Sequence, residues 1–213
     1  MTPPPAPEGA MPPADGAADP ADPGPAGGLV LFHGAGGDRT HHALVALEDG
    51  LDVPVARFDF PYRRKGPGRR PPDRMPKLVA AVGDAAREVT AEWGVAPDRL
   101  VFGGRSMGGR AASMAVAEGL PAAGLVLLSY PLHPPGKPDK LRVDHFGAIA
   151  CPVLVIQGRR DPFATEAELE RHLAAITGPV TLVMVDGNHD PKPGLDPLLV
   201  ETVRDWWPPG RRG

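Results

Sequence analysis

The sequence predicts one three-layer α/β domain whose sheet is mainly parallel and has about six strands. Short apolar segments alternate with segments of helical character, which is typical of βαβ units. Most of these apolar segments are continuous rather than alternating, as strands buried on both faces are. Pro54 and Arg57 interrupt the second one, which predicts an edge strand. The predicted strands cover residues 29–32, 53–58, 100–102, 125–128, 153–156 and 180–185.

The helical segments carry recognisable start and stop signals. Thr40 is expected to cap the first helix, and Gly94 is expected to end the second. Thr165 is followed three residues later by Glu168, which is the pattern of a capping box. The predicted helices cover residues 40–50, 73–93, 107–118, 165–176 and 196–207.

The chain of 213 residues is long enough for one domain with a sizeable core. Residues 1–27 are rich in proline, alanine and glycine and contain no aromatic residue. Burial cannot offset the entropy of ordering such a segment, so we predict a disordered tail. The folded domain is expected over residues 28–207, and residues 208–213 are expected to form a flexible end.

Composition and charge argue against several classes of protein. A net charge of −3 and a pI of about 6.2 give no case for nucleic-acid binding. Six basic residues fall within residues 63–74, and we interpret them as a solvated loop rather than a phosphate-binding surface. No apolar run reaches the roughly 20 residues of a membrane span, and no secretory leader is visible. We therefore expect a cytoplasmic protein without nucleic-acid or membrane partners.

A G-x-S-x-G motif occupies Gly104 to Gly108, between a predicted strand and a predicted helix. In that context the motif predicts a sharp strand-to-helix turn that projects Ser106 alone. The glycines on either side allow close approach of neighbouring backbone. The alternative interpretation is a glycine-rich turn that only caps a helix, and we favour Ser106 as a nucleophile.

An acid and a base follow two later strands. Asp161 comes after the strand predicted at residues 153–156, and His189 comes after the last strand. A hydroxyl needs an adjacent base to act as a nucleophile, and histidine suits that role. A carboxylate holds the histidine in the required tautomer. Asp190 competes for the acid role, but a carboxylate adjacent in sequence rarely reaches the imidazole, so Asp161 is preferred.

The loop His33 to Gly37 follows the first strand and is rich in glycine. It is expected to supply one oxyanion donor, the amide of Ala35 or of Gly34, while the amide of Met107 supplies the other. The loop lacks the lysine of a phosphate-binding loop, and Arg39 stands where a dinucleotide-binding motif needs glycine.

Further residues at the same edge of the sheet are candidates for the substrate pocket. Arg105 either binds an anionic group of the substrate or pairs with a nearby carboxylate. Adjacent helical residues point in different directions, so His41 and His42 are not expected to share a metal ion. The pocket candidates are His33, Gly34, Arg105, Tyr130 and His133.

Five segments together resemble the branch of the α/β-hydrolases that contains the KANL3 and Tex30 proteins, whose bacterial members are often called dienelactone-hydrolase-like. The segments are HGAGGD, GGRSMGGRAAS, SYPLHPPGKPDKLRVDHF, PVLVIQGRRDPF and GNHD. The resemblance covers about residues 28–207. It implies the α/β-hydrolase fold, Ser106 as nucleophile, Asp161 as acid, His189 as base and the His33–Gly37 loop as oxyanion element. The chain lacks two of the family's eight strands and the long insertion that forms a lid.

The leading hypothesis is a serine hydrolase that cleaves a small ester, thioester or related acyl compound. Such chemistry needs no metal and no organic cofactor, so none is expected. A catalytically silent binding or scaffold module of the same fold is the alternative, because fold alone does not imply activity. Acyl transfer to an acceptor other than water is a third hypothesis. The substrate and the oligomeric state stay open.

Overall fold

The computed structural model describes residues 26–64 and 71–208. The predicted tail over residues 1–25 and the predicted flexible end over residues 209–213 lie outside the described residues. Ala26 is buried, and Gly27 donates its amide to the carbonyl of Arg99 at 2.6 Å. Pro208 is buried as well. The prediction that placed these three residues in the tail and the flexible end is therefore wrong, because they pack on the domain.

The described part of the chain contains one sheet of six parallel strands in the order β2-β1-β3-β4-β5-β6. The strand with Pro54 before it lies at an edge, as predicted. The strands are β1 (Gly28–Phe32), β2 (Val55–Phe58), β3 (Leu100–Arg105), β4 (Gly124–Leu128), β5 (Val153–Gly158) and β6 (Val180–Val185). Because all of them are parallel, their carboxyl ends meet at one edge of the sheet.

Five α-helices cover the two faces of the sheet in the described residues. They are α1 (His42–Gly50), α2 (Met75–Trp93), α3 (Met107–Ala117), α4 (Glu166–Leu173) and α5 (Asp196–Trp206). Helices α1 and α5 pack on one face, and α2, α3 and α4 pack on the other, so that each face has its own buried apolar cluster. The three-layer α/β prediction is confirmed, and no large lid stands above the sheet in the described ranges. No helix of these ranges is long and apolar enough to cross a membrane.

Two of the three local signals named for helix ends are confirmed, although α2 begins at Met75 rather than at residue 73 and α4 ends at Leu173 rather than at residue 176. Gly94 ends α2 in the left-handed conformation, and the Thr165–Glu168 capping box is present at α4. Helix α1 is capped by His41, whose side chain accepts from the amide of Ala43, rather than by Thr40. The Thr40 hydroxyl hydrogen-bonds to Asp38 instead, so it is not free to cap the helix.

Strand β3 continues three residues beyond its predicted end, through Gly103 and Gly104 to Arg105. Gly104 has φ of 150°, and a Cβ atom there would lie 2.1 Å from the carbonyl oxygen of Phe32 in β1. A side chain at this position would thus collide with backbone, which cannot move aside as a flexible side chain can. Glycine at position 104 is therefore a requirement of the sheet as well as of the turn.

We expect Gly104→Ala to lower the free energy of unfolding by about 3 kcal/mol or more, because it adds backbone strain to a steric clash. Gly194→Ala is the control, since a Cβ atom there meets nothing within 4 Å. That change should stay within about 0.5 kcal/mol of wild type. Urea denaturation followed by circular dichroism measures both. Equal midpoints and slopes for the two variants would contradict the proposed requirement.

Candidate active site

Ser106 lies at the turn that joins β3 to α3. Its backbone is strained, with φ of 52° and ψ of −114°, and its amide donates to the carbonyl of Leu128 at 2.8 Å. Gly108 follows in the first turn of α3, and a Cβ atom there would lie 2.2 Å from the carbonyl oxygen of Phe32. The missing side chains at positions 104 and 108 let the turn press against β1. This packing holds Ser106 in a conformation that a residue with a side chain rarely adopts.

The structure brings Ser106, His189 and Asp161 together, although each follows a different strand. His189 Nε2 lies 2.8 Å from Ser106 Oγ, and His189 Nδ1 lies 2.8 Å from Asp161 Oδ2. Asp161 is buried, whereas Ser106 is 8% exposed and the His189 side chain is 18% exposed, so solvent reaches the chain of hydrogen bonds at the serine and the imidazole but not at the carboxylate. The arrangement has the geometry by which a histidine could take the hydroxyl proton while a carboxylate holds its other nitrogen.

The carboxylate of Asp161 has two further donors. Gln157 Nε2 donates to Oδ2 at 2.7 Å, and the amide of Phe163 donates to Oδ1 at 2.9 Å. The ring of Phe163 also stacks on the imidazole of His189, with the ring centroids 4.0 Å apart. Sequence reasoning missed Gln157 and Phe163. The signal that could have found them is their position in the sequence. Gln157 lies at the end of β5, and Phe163 lies two residues after the candidate acid.

The buried side chain of His33 supports the loop after β1 through two hydrogen bonds. His33 Nδ1 lies 2.7 Å from the carbonyl oxygen of Gly34, and His33 Nε2 accepts from the amide of Phe60 at 3.2 Å. Burial lowers the pKa of His33, which favours the neutral ring that this pair of hydrogen bonds requires. Nδ1 then carries the proton and donates to Gly34. Because Gly34 C=O and Ala35 N–H belong to one planar peptide unit, this bond fixes the direction of the Ala35 amide.

A cavity of about 470 Å³ opens beside Ser106. The predicted oxyanion residues Ala35 and Met107 both line it, and the hydroxyl of Tyr62 donates to the carbonyl of Ala35 at 2.9 Å. Met107 begins α3, so its amide has no acceptor within its own helix. The other lining residues are Gly36, Asp73, Met75, Leu78, Arg105, Ser106, Arg110, Pro131, Arg142, Phe163 and His189. The volume suits a small ligand.

Arg105 pairs with a carboxylate, which is one of the two alternatives for this residue. Its Nη2 lies 2.8 Å from Asp190 Oδ1 and donates to the carbonyl of His189 at 3.2 Å. Burial lowers the pKa of the guanidinium, and the charge of Asp190 opposes that shift. Arg105 therefore holds the loop that carries His189. Asp190 turns toward Arg105 and His41, so it is not the residue that contacts the imidazole of His189.

Four of the predicted pocket residues are buried and are not among the residues that line this cavity. His33 is fully buried, and Gly34 packs against the Arg105 side chain. The hydroxyl of the buried Tyr130 donates to the carbonyl of Arg142 at 2.9 Å. His133 Nδ1 hydrogen-bonds to the carbonyl of Pro134 at 2.9 Å. The side chains of His33, Tyr130 and His133 each support a loop through a backbone group.

One cluster at the loop ends has the residue types that bind metal ions. Ligand atoms of His41, His42 and Asp190 all lie within 4.8 Å of one another, and the two imidazole rings stack with centroids 4.5 Å apart. The expectation that adjacent histidines point apart is therefore wrong here, because His41 precedes the helix instead of lying in it. His42 Nδ1 is already 2.8 Å from Asp196, and Asp190 pairs with Arg105.

A serine on a strained strand-to-helix turn, hydrogen-bonded to a histidine from a later loop above a parallel sheet, defines the α/β-hydrolase class of proteins. The family of alpha/beta hydrolase domains matches residues 25–196 of the chain. The chain belongs to this family.

Solved structures with the same fold are numerous. A thermophilic esterase from Thermogutta terrifontis has a TM-score of 0.66 at 20% identity, over 86% of this chain and 90% of its own. A monoacylglycerol lipase from Paleococcus ferrophilus has a TM-score of 0.69 at 16% identity, over 86% and 95%. RedJ, a thioesterase of the prodiginine pathway in Streptomyces coelicolor, has a TM-score of 0.58 at 24% identity, over 90% and 96%. At these identities the likeness shows the fold alone.

Proposed function

We propose that the protein is a serine hydrolase that cleaves a small acyl ester or thioester through Ser106, His189 and Asp161. The observation that carries this proposal is the pair of 2.8 Å hydrogen bonds that joins the three side chains at the strained turn. A serine that only capped a helix would need neither a histidine at its hydroxyl nor a buried carboxylate behind that histidine. We include in the proposal a small-molecule substrate, a cytoplasmic location and membership of the KANL3/Tex30-like branch.

The proposed reaction has two halves. In the first, His189 Nε2 takes the proton of Ser106 Oγ while Oγ bonds to the acyl carbon. The resulting oxyanion accepts hydrogen bonds from the amides of Met107 and Ala35. His189 then gives its proton to the leaving alcohol or thiol, which leaves an acyl-serine. In the second half, water loses a proton to His189 and attacks the acyl carbon, and Ser106 recovers its proton as the acid departs.

Two further observations support ester-type substrates. Solved structures of the same fold include proteins whose names describe an esterase, a lipase and a thioesterase. The cavity beside Ser106 has an apolar part formed by Met75, Leu78, Met107 and Phe163, which suits a short acyl chain.

Covalent labelling of Ser106 tests the proposal. A fluorophosphonate probe should add one adduct to the native wild type and none to Ser106→Ala, because only a serine with an adjacent base reacts. Intact-mass spectrometry measures the adduct, and heat-denatured wild type is the control for non-specific reaction. If folded wild type takes no label and releases no product from p-nitrophenyl acetate, the proposal is wrong and the binding-module alternative takes its place.

A further inference from the structure

Two arginines line the cavity without a partner that neutralises them. Arg110 lies in α3, and Arg142 lies in the segment between β4 and β5. Neither forms an ion pair with a carboxylate within 4.0 Å among residues 26–64 and 71–208, and Arg110 Nε is buried without a hydrogen-bond partner. Other arginines of the same ranges do pair with carboxylates, among them Arg57, Arg63, Arg105, Arg159 and Arg160.

Both arginines line the same cavity, so their positive charges face one partly buried space. Burial, and after it the charge of Arg110, lowers the pKa of Arg142. His145 adds no further positive charge, because burial and the charge of Arg110 lower its pKa to about 4 and leave the ring neutral at pH 7. Asp73 also lines the cavity; the ammonium of Lys77 lies 2.8 Å from its Oδ1 and balances its charge, while its Oδ2 is buried without a hydrogen-bond partner. This part of the cavity therefore carries an excess of positive charge.

Hydrogen bonds hold the backbone of both arginines in place. The amide of Arg110 donates to the carbonyl of Ser106 at 3.0 Å, so Arg110 lies one helical turn beyond the serine, about 6 Å along the helix axis. The hydroxyl of buried Tyr130 holds the backbone of Arg142 at 2.9 Å. Two like charges in a partly buried cavity raise the energy of the empty pocket. An anion with two oxygens would remove that cost, because guanidinium groups bind carboxylates in a bidentate manner.

We propose that Arg110 and Arg142 form an anion subsite, and that the substrate is an ester carrying a carboxylate a few ångströms from the carbonyl attacked by Ser106. The class is exemplified by half-esters of short dicarboxylic acids. The inference rests on the proposed function for the ester, whereas the anion subsite itself can be tested without catalysis. Apolar contacts with Met75 and Leu78 would then hold the methylene groups between the two ends.

Binding to the Ser106→Ala protein tests the subsite separately from the reaction. Isothermal titration at low salt should show that glutarate binds and that its neutral diamide does not. Arg110→Gln and Arg142→Gln, each made in the Ser106→Ala protein, should each weaken glutarate binding about tenfold or more, because each removes a charge-assisted contact. Arg87→Gln is the matched control, since Arg87 is exposed on α2 and pairs with Asp84. It should bind glutarate as its parent does.

Inorganic phosphate is the second probe in the same titrations. Tighter binding of phosphate than of glutarate would overturn the carboxylate assignment. Equal binding of glutarate and its diamide, or binding unaffected by either arginine substitution in folded protein, would overturn the subsite. Circular dichroism of each variant establishes that it is folded, and Arg142→Lys should keep part of the affinity that Arg142→Gln loses.

Turnover tests the link to the reaction. Methanol release should be faster from monomethyl glutarate than from dimethyl glutarate, which has the same acyl chain without the charge. Arg142→Gln should lower kcat/KM for the monoester at least about tenfold more than for the diester. Failure of wild type to cleave either ester while glutarate still binds would refute the ester chemistry and leave the subsite. Cleavage of both at equal rates would refute the substrate class.

Discussion

Ser106→Ala and His189→Ala should each reduce the turnover of p-nitrophenyl acetate by about 10⁴ to 10⁶. The reason is that the two groups act as a unit. Without the hydroxyl no acyl-serine forms, and without the imidazole 2.8 Å away the hydroxyl keeps its proton. The double variant should therefore be about as active as either single variant. Initial rates at 400 nm measure all three, after subtraction of the spontaneous rate.

His172→Ala is the control for the loss of an imidazole, because His172 lies near the end of α4, away from the cavity. Its turnover should equal that of wild type within about threefold. Additive losses in the double variant would contradict a common mechanism for Ser106 and His189. Retention of a tenth of the wild-type rate by Ser106→Ala would show that another group attacks the ester.

Asp161→Asn should lower kcat by about 10⁴ while the fold survives. The native carboxylate accepts from His189 Nδ1, Gln157 Nε2 and the amide of Phe163. An asparagine offers one oxygen, and its NH₂ group would have to face either the imidazole or a donor. When it faces the imidazole, Nδ1 becomes an acceptor and Nε2 carries the proton, so Nε2 can no longer accept from Ser106. Esterase assays at saturating substrate measure the loss.

Asp190→Asn is the matched control for that substitution. Asp190 is adjacent to His189 in the chain, but its carboxylate contacts Arg105 and His41 and not the imidazole of His189. Turnover of Asp190→Asn should fall about tenfold or less, since the loop that carries His189 keeps its hydrogen bond from Arg105. If Asp190→Asn loses more activity than Asp161→Asn, the assignment of the acid is reversed.

The fold could be predicted because its signals are local. Continuous apolar segments indicate strands buried on both faces, and the glycine and the capping box at helix ends are read within a few residues. The candidate triad followed from the same reasoning, since Ser106, Asp161 and His189 each come after a strand of a parallel sheet. The extension of β3 through two glycines was missed because glycine weakens a local strand signal. The motif predicted close approach of backbone at Gly104, and the structure shows that the approaching backbone is that of Phe32 in β1.

The sequence by itself determined the order of strands and helices along the chain and the turn at Ser106. It also determined that the candidate catalytic residues lie at the carboxyl edge of the sheet. The tertiary structure alone decided which side chain faces which. It directed the His33 ring to the carbonyl of Gly34, paired Arg105 with Asp190 and placed Arg110 and Arg142 on the wall of one cavity. Some of these contacts join residues that are distant in the chain. Others depend on the orientation of a ring or a guanidinium group. Local patterns carry no information about either, because packing of the whole domain fixes both.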